Sequence, residues 1–279
     1  MISRGPRVYS ADMRIVRFLN DEGKVQVGQL MKDDRAAVLR GDVEHGFEPT
    51  RFTSIVKKLL APLVPADILC IGLNYREHAA ESGSAVPQHP VLFIKSGSAL
   101  NNPGDPIRIP RRSEQIDYEA ELAVVIGKAA KNVPRDRALD YVFGYTCAND
   151  VSSRDWQRDK NLGGGQWARG KSFDGFCPLG PAIVTKDEIP NPNALRLKTI
   201  LNGQTMQDHT TADMIFDVPA LIESLSSTMT LRPGTVILTG TPQGVGFARK
   251  PPVFLKAGDT VVVEIENIGS LENPVTREE

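Results

Sequence analysis

Residues 116–127, IDYEAELAVVIG, constrain the fold more than any other stretch. They alternate. Tyr118, Ala120, Leu122, Val124 and Ile126 fall on one face of an extended strand, and Glu119, Glu121, Ala123 and Val125 fall on the other. The apolar load makes this a core strand, so two carboxylates stand on one face, about 7 Å apart at their Cα atoms. Like charges at the mouth of a core repel unless something cancels them, and a divalent cation does so most directly. An edge strand with two solvated glutamates is the alternative. A second apolar run, residues 142–150, VFGYTCAND, ends on an acid. From a strand end Asp150 can lean over the neighbouring strand and complete a three-oxygen cup with Glu119 and Glu121. An all-oxygen set suits Mg²⁺, Mn²⁺ or Ca²⁺ rather than zinc.

The chain has 279 residues, enough for one large core and a small extra lobe. A formal charge of −1 implies no polyanionic partner, so nucleic-acid binding is not expected. Cys70, Cys147 and Cys177 are odd in number, far apart and without a CxxC pair. That fits a reducing compartment, the cytoplasm or, in a eukaryote, the mitochondrial matrix. No run approaches the length needed to span a bilayer, and the N-terminus lacks an apolar signal segment. Residues 1–12 read as an extension before a folded part that begins at Met13. Residues 1–65 form a small N-terminal lobe: a hairpin turns at residues 20–23, and the spacing of Phe52, Ile55, Val56, Leu59 and Leu60 predicts a helix over 52–60. Residues 66–279 carry the chemistry.

There, a buried strand over 68–73 delivers Asn74, Tyr75 and His78, with a helix over 74–82 stopped by Gly83. His78 and Glu81 are three apart and share one helical face. Glu81 can orient the imidazole, and the pair can activate water or move a proton. Otherwise they are a surface pair. After Asp150, Ser152 and Ser153 are N-cap candidates, which puts Arg154 and Gln157 on one face beginning at the metal. Residues 165–172 fit the phosphate-loop pattern GxxxxGK[S/T]. That mechanism needs a strand before and a helix after; here a polar helix precedes and Phe173-Asp174-Gly175 cannot open a helix, so nucleotide binding is rejected. Residues 239–246, TGTPQGVG, lack dinucleotide spacing, but their amides, Gly240 included, and the Thr241 hydroxyl can cradle a carboxylate. A tight turn is the alternative. Asn202-Gly203 predicts a two-residue hairpin turn, and Asp217 caps a helix with Pro219 in its first turn. Many strands, few helices and hairpin connections indicate an α+β, mainly β fold with a mixed roll, not a doubly wound sheet.

Six stretches in order carry a resemblance: GLNYREHAAE, YEAEL, NDVSSRDWQ, GKSFDGFCPLGP, LTGTPQGVG and GDTVVVEIENIGSLENPV. From about residue 67 to 275 the chain resembles the fumarylacetoacetate hydrolase family, and KPPVFLKAGD resembles its domain-containing branch. The resemblance implies a rolled β-sandwich, a homodimer, and Mg²⁺ (or Mn²⁺, or Ca²⁺ in crystals) on Glu119, Glu121 and Asp150. It implies a His78–Glu81 dyad on a closing segment, Lys171 facing negative charge on substrate oxygen, and Arg154, Gln157, Tyr75, Gly240 and Thr241 toward substrate. The implied substrate is a short 2-oxo or 1,3-diketo acid that reacts through an enolate. Hydrolytic C–C cleavage is expected ahead of oxaloacetate tautomerisation or decarboxylation, because the dyad is arranged to activate water. Intact His78, Glu81 and Lys171 argue against a catalytically idle metabolite-binding protein. Leu73 stands where some acylpyruvate-type relatives carry a basic residue. With Ala79 and Ala80 nearby, a short dicarboxylate or small acylpyruvate is expected, and fumarylacetoacetate should be poor.

Overall fold

Short strands with one apolar face each must gather into sheets to bury it. In the computed structural model, which describes residues 13–31, 33–162 and 165–279, they form sheets of twelve, five and two strands. The extension expected over residues 1–12 lies outside the described residues. Ala120–Ile126 runs through the large sheet, antiparallel to Val142–Asn149 on one side and Val236–Leu238 on the other. Every residue of it is buried. Ala120, Leu122, Val124 and Ile126 pack with Tyr145, Leu197, Val263 and Leu225. Ala123 and Val125, on the other face, join Phe143, Ile183 and Val236. Tyr118 departs from the simple alternation. The strand is broken between Ile116–Asp117 and Ala120–Ile126, and Tyr118 packs in the same core as Ala123.

The five-stranded sheet has the order Gln204–Thr210, Arg196–Leu201, Thr260–Ile265, Gly269–Arg277, Ile107–Ile109. Its Leu197, Val263, Ile265 and Leu271 face Leu122 and Val124 across a shared core, which makes the molecule a sandwich. The large sheet is mixed: Val236–Leu238 runs parallel to Ile68–Gly72. Asn202-Gly203 turns the hairpin where expected, and Asp217 Oδ1 accepts from Ala220 N at 2.9 Å to start the helix Val218–Thr228. No helix of the described residues is long and apolar enough to cross a membrane.

In the N-terminal region the hairpin expected at residues 20–23 is present, joining Arg14–Leu19 to Val25–Leu30, while the rest differs from expectation. Arg14–Leu19, Val25–Leu30, Arg35–Asp42 and Gly46–Ile55 form an antiparallel meander that continues the large sheet, because Arg14–Leu19 pairs with Cys177–Thr185. The helix expected over 52–60 is absent; its residues belong to Gly46–Ile55 and Lys58–Leu60. Phe52 and Ile55 are exposed, so their spacing marks no buried stripe. Ladder bonds to Arg35–Asp42 claim the backbone instead, and β-branched Thr53 and Ile55 suit them. Among the described residues this region is β-structure with no helix.

Leu197 is fully buried in the intersheet core and does not line the cavity that holds the acids. Leu197→Ala is expected to cost about 2–5 kcal/mol, seen as a lower urea midpoint at unchanged slope, with Mg²⁺ affinity unaltered. A loss below about 1 kcal/mol would show that the two sheets do not share this core.

Candidate metal centre and active site

Antiparallel register brings the acids together. Ala120 pairs with Asn149 and Glu121 with Ala148, so the start of one strand lies beside the end of the other. Asp150 N donates to the Glu119 carbonyl at 2.9 Å. One carboxylate oxygen each from Glu119, Glu121 and Asp150 lies within 4.8 Å of the others, and all three residues are buried. That donor set fits a hard divalent cation. The electrostatics agree. Burial, and then the Asp150 and Glu119 carboxylates, push the Glu121 carboxyl well above its ordinary range, a strain that a bound cation would relieve. Burial also raises Glu119, but Lys171 and Arg154 outweigh it and hold that carboxyl down at about 2.

The counter-charges come from three elements. Lys171 Nζ donates to Glu119 Oε2 and Asp150 Oδ2, each at 2.6 Å. Burial would lower the Lys171 ammonium; Asp150 and Glu119 raise it more. A lysine has three N–H donors, so one remains after these two bonds. Lys95, just beyond Val91–Ile94, donates to Asp150 Oδ1 and to the Val151 carbonyl. Arg154, which opens the helix Arg154–Arg158, donates to Glu119 Oε1 at 2.6 Å, Asp117 Oδ2 at 2.9 Å and Gln157 Oε1 at 2.9 Å.

Lys171 ends the short helix Trp167–Lys171, which lies on the phosphate-loop-like stretch. The glycine in that pattern serves packing. A Cβ on Gly170 would sit 2.7 Å from Gln157 N and 2.8 Å from the Ser153 carbonyl, so only glycine lets the two helices touch. The helix Arg154–Arg158 precedes the stretch and the strand Cys177–Thr185 follows, the reverse of a phosphate loop. Ser153 stands at the N-cap of the helix Arg154–Arg158, but its hydroxyl makes no capping bond: Ser153 Oγ donates to Asp155 Oδ1, and Ser152 Oγ donates to the Asp150 carbonyl.

His78 lies in the helix Arg76–Glu81, its Nδ1 3.3 Å from Glu81 Oε2. Gly244 N donates to both Glu81 oxygens, at 2.9 and 3.1 Å. The glycine-rich loop does cradle carboxylates, but they are the protein's own. Gly240 N donates to Glu121 Oε2 at 2.6 Å, and Gly246 N and Phe247 N donate to Asp117. Gly240, expected to face substrate, therefore holds Glu121. Thr241 Oγ1 accepts from Gln207 Nε2 at 2.8 Å, which leaves its O–H free to donate.

One cavity of about 140 Å³ is lined by Glu119, Glu121, Asp150, His78, Lys171, Arg154, Gln157 and Thr241. Phe93, Trp167 and Phe247 give it apolar walls. Tyr75, expected toward substrate, is not among them. It is fully buried, bridged to Met214, with its ring 6.3 Å from that of His209. The chain turns it into the core before the helix begins. Sequence reasoning missed Asp117, Lys95 and Arg158. Asp117 was legible, since it precedes Glu119 by two on the same alternating face. Lys95 was not: a lysine after an apolar strand reads as a solvated end.

The raised Glu121 carboxyl gives a signed pH effect. In chelator the folded chain keeps a proton that the unfolded chain releases above the ordinary glutamate value of 4.5. The stability contributed by Glu121 is therefore full below that value and is lost as pH rises through its raised folded value. Wild type should lose melting temperature relative to Glu121→Gln across this window, and saturating Mg²⁺ should remove the loss. A difference that does not change with pH would contradict the assignment.

The fumarylacetoacetate hydrolase C-terminal family model matches residues 67–276, and an Rv2993c-like N-terminal model matches residues 13–62. The chain is 54% identical over 218 residues to a mitochondrial oxaloacetate tautomerase of Xenopus laevis, covering 78% of this chain and 68% of that one. Among solved structures it is similar to a 5-carboxymethyl-2-hydroxymuconate delta-isomerase from Mycobacterium smegmatis, with TM-score 0.84 and 38% identity over 95% of this chain and 100% of the other. It is also similar to a fumarylacetoacetate hydrolase from Exiguobacterium antarcticum, with TM-score 0.80 and 36% identity over the same shares. With sequence, fold and the carboxylate cup in agreement, the chain belongs to the fumarylacetoacetate hydrolase family.

Proposed function

We propose that this protein is a divalent-metal-dependent tautomerase of short 2-oxo dicarboxylates, interconverting the enol and keto forms of oxaloacetate. The observation that carries the reading is the 54% identity to an oxaloacetate tautomerase. It reverses the order in which the His78–Glu81 dyad alone ranks the reactions, with hydrolysis first. Tautomerisation needs no water. It moves one proton between C3 and the 2-oxo oxygen, and a positioned imidazole suffices. The small cavity agrees with a short substrate. The mitochondrial relatives support the mitochondrial alternative for location over a cytoplasmic one.

Glu119, Glu121 and Asp150 would hold the ion, which when bound supplies Lewis-acid polarisation of the 2-oxo group. Glu81 engages His78 Nδ1 and so fixes the ring, leaving Nε2 to carry the proton. Nε2 takes the C3 proton while the C–H electron pair becomes the C2–C3 double bond and charge moves onto oxygen. The remaining Lys171 N–H faces that charge. Return of the proton to oxygen completes the isomer, with nothing gained or lost. Thr241 donates its hydroxyl to a substrate carboxylate, and Arg154 and Gln157 hold the wall beside it. The homodimer implied by the family is supported by the edge strand Val91–Ile94, which leaves Val91, Leu92 and Ile94 exposed.

Enol-oxaloacetate should disappear in the ultraviolet without release of CO₂ or pyruvate. His78→Ala should lower kcat by roughly 10²–10⁴ while calorimetric Mg²⁺ affinity stays near wild type. Lys171→Ala should cost kcat more than KM, since it serves charge that develops only during transfer. Pyruvate plus a carboxylic acid from acylpyruvates, with no oxaloacetate interconversion, would restore hydrolysis as the activity.

A further inference from the structure

The cations lining the cavity are not equally occupied. Lys171 spends two donors on Glu119 and Asp150. Arg154 is divided among Glu119, Asp117 and Gln157. Arg158, an exposed residue, also lines the cavity; among the described residues its side chain makes no hydrogen bond or ion pair, and Asp117, which bonds Arg154, attracts it only at longer range. It is four residues beyond Arg154 and so shares that helix face. Its guanidinium carbon lies 4.1 Å over the centroid of Phe247, and that of Arg154 lies 4.5 Å over the same ring. The Phe247 amide donates to Asp117 Oδ2 at 3.0 Å, which fixes its backbone, and its ring meets that of His78 edge-on with centroids 6.3 Å apart. Stacking occupies the face of a guanidinium and leaves its edge donors open, the arrangement that suits a bidentate carboxylate. Charge points the same way. Arg154, Arg158 and Lys171 balance Glu119, Glu121 and Asp150, so a bound divalent ion leaves the lining with two positive charges, which match a dianion.

We propose that Arg158 anchors the distal carboxylate of the substrate and so selects dicarboxylates over monocarboxylates. This rests on reading the substrate as a 2-oxo dicarboxylate. The head of the substrate goes to the acid cup and Lys171, and the tail carboxylate to the rim, where Phe247 holds Arg158 ready.

Malate and lactate share a 2-hydroxy acid head and differ in the distal carboxylate, so their calorimetric affinities for the Mg²⁺-loaded protein isolate the anchor from turnover. Wild type is expected to prefer malate by about 10- to 100-fold, the range for one bidentate charged pair. Arg158→Met should bring the preference within about 3-fold with lactate and Mg²⁺ affinities unchanged, and Arg158→Lys should keep part of it. Retention of the full preference in Arg158→Met, an equal loss for both ligands, or no preference in wild type would each overturn the assignment. A preference for malate that depends on Arg158, in a protein that does not tautomerise oxaloacetate, would sink the tautomerase reading and leave the anchor standing.

Discussion

Three carboxylates buried within 4.8 Å of one another are unfavourable in any apolar core, and the surroundings are arranged to offset them. Lys95, Lys171 and Arg154 arrive from three separate elements, none adjacent in sequence to the acids they meet. The compensation reaches further than the first pairs. Arg154 also needs Asp117, and Asp117 needs the amides of Gly246 and Phe247. Gly240 and Gly244 then tie Glu121 and Glu81 to the same loop. A connected set of charge-assisted bonds thus runs from the central strand to the glycine-rich loop, and the loop's conformation is fixed by acids from elsewhere in the chain.

What was legible in the sequence follows from local periodicity. Alternation over residues 116–127 put Glu119 and Glu121 on one face, and the acid ending the next apolar run supplied Asp150. Asn202-Gly203 and Asp217 were legible because a turn and a cap are decided by neighbours a few residues away. The helix expected over 52–60 failed for a tertiary reason. Phe52 and Ile55 are exposed, and the ladder to Arg35–Asp42 outweighs a stripe that buries nothing. Lys95 and Arg158 were invisible because their partners, Asp150 and Phe247, are 55 and 89 positions away in the numbering. Tyr75 and Gly240 show a subtler limit: a motif tells which residues gather near a site, not which of them face inward.

The resemblance to a phosphate loop shows how one pattern can arise from different constraints. In a nucleotide site the glycine and lysine serve a phosphate. Here Gly170 permits two short helices to touch and Lys171 is thereby delivered between Glu119 and Asp150. A Cβ on Gly170 would push apart the elements that carry Arg154 and Lys171, so a packing constraint and an electrostatic one meet in adjacent residues.

The pairing of Arg14–Leu19 with Cys177–Thr185 reaches beyond the N-terminal region itself. Arg14 and Ile15 cover Val184 and Ile183, which lie on the strand next to the one that ends at Asp150. A protein shortened to residues 66–279 would bare that ladder as an open edge of unpaired amides and carbonyls. Such an edge templates the addition of strands from other molecules. The meander covers that edge, and the sheet ends instead at Gly46–Ile55.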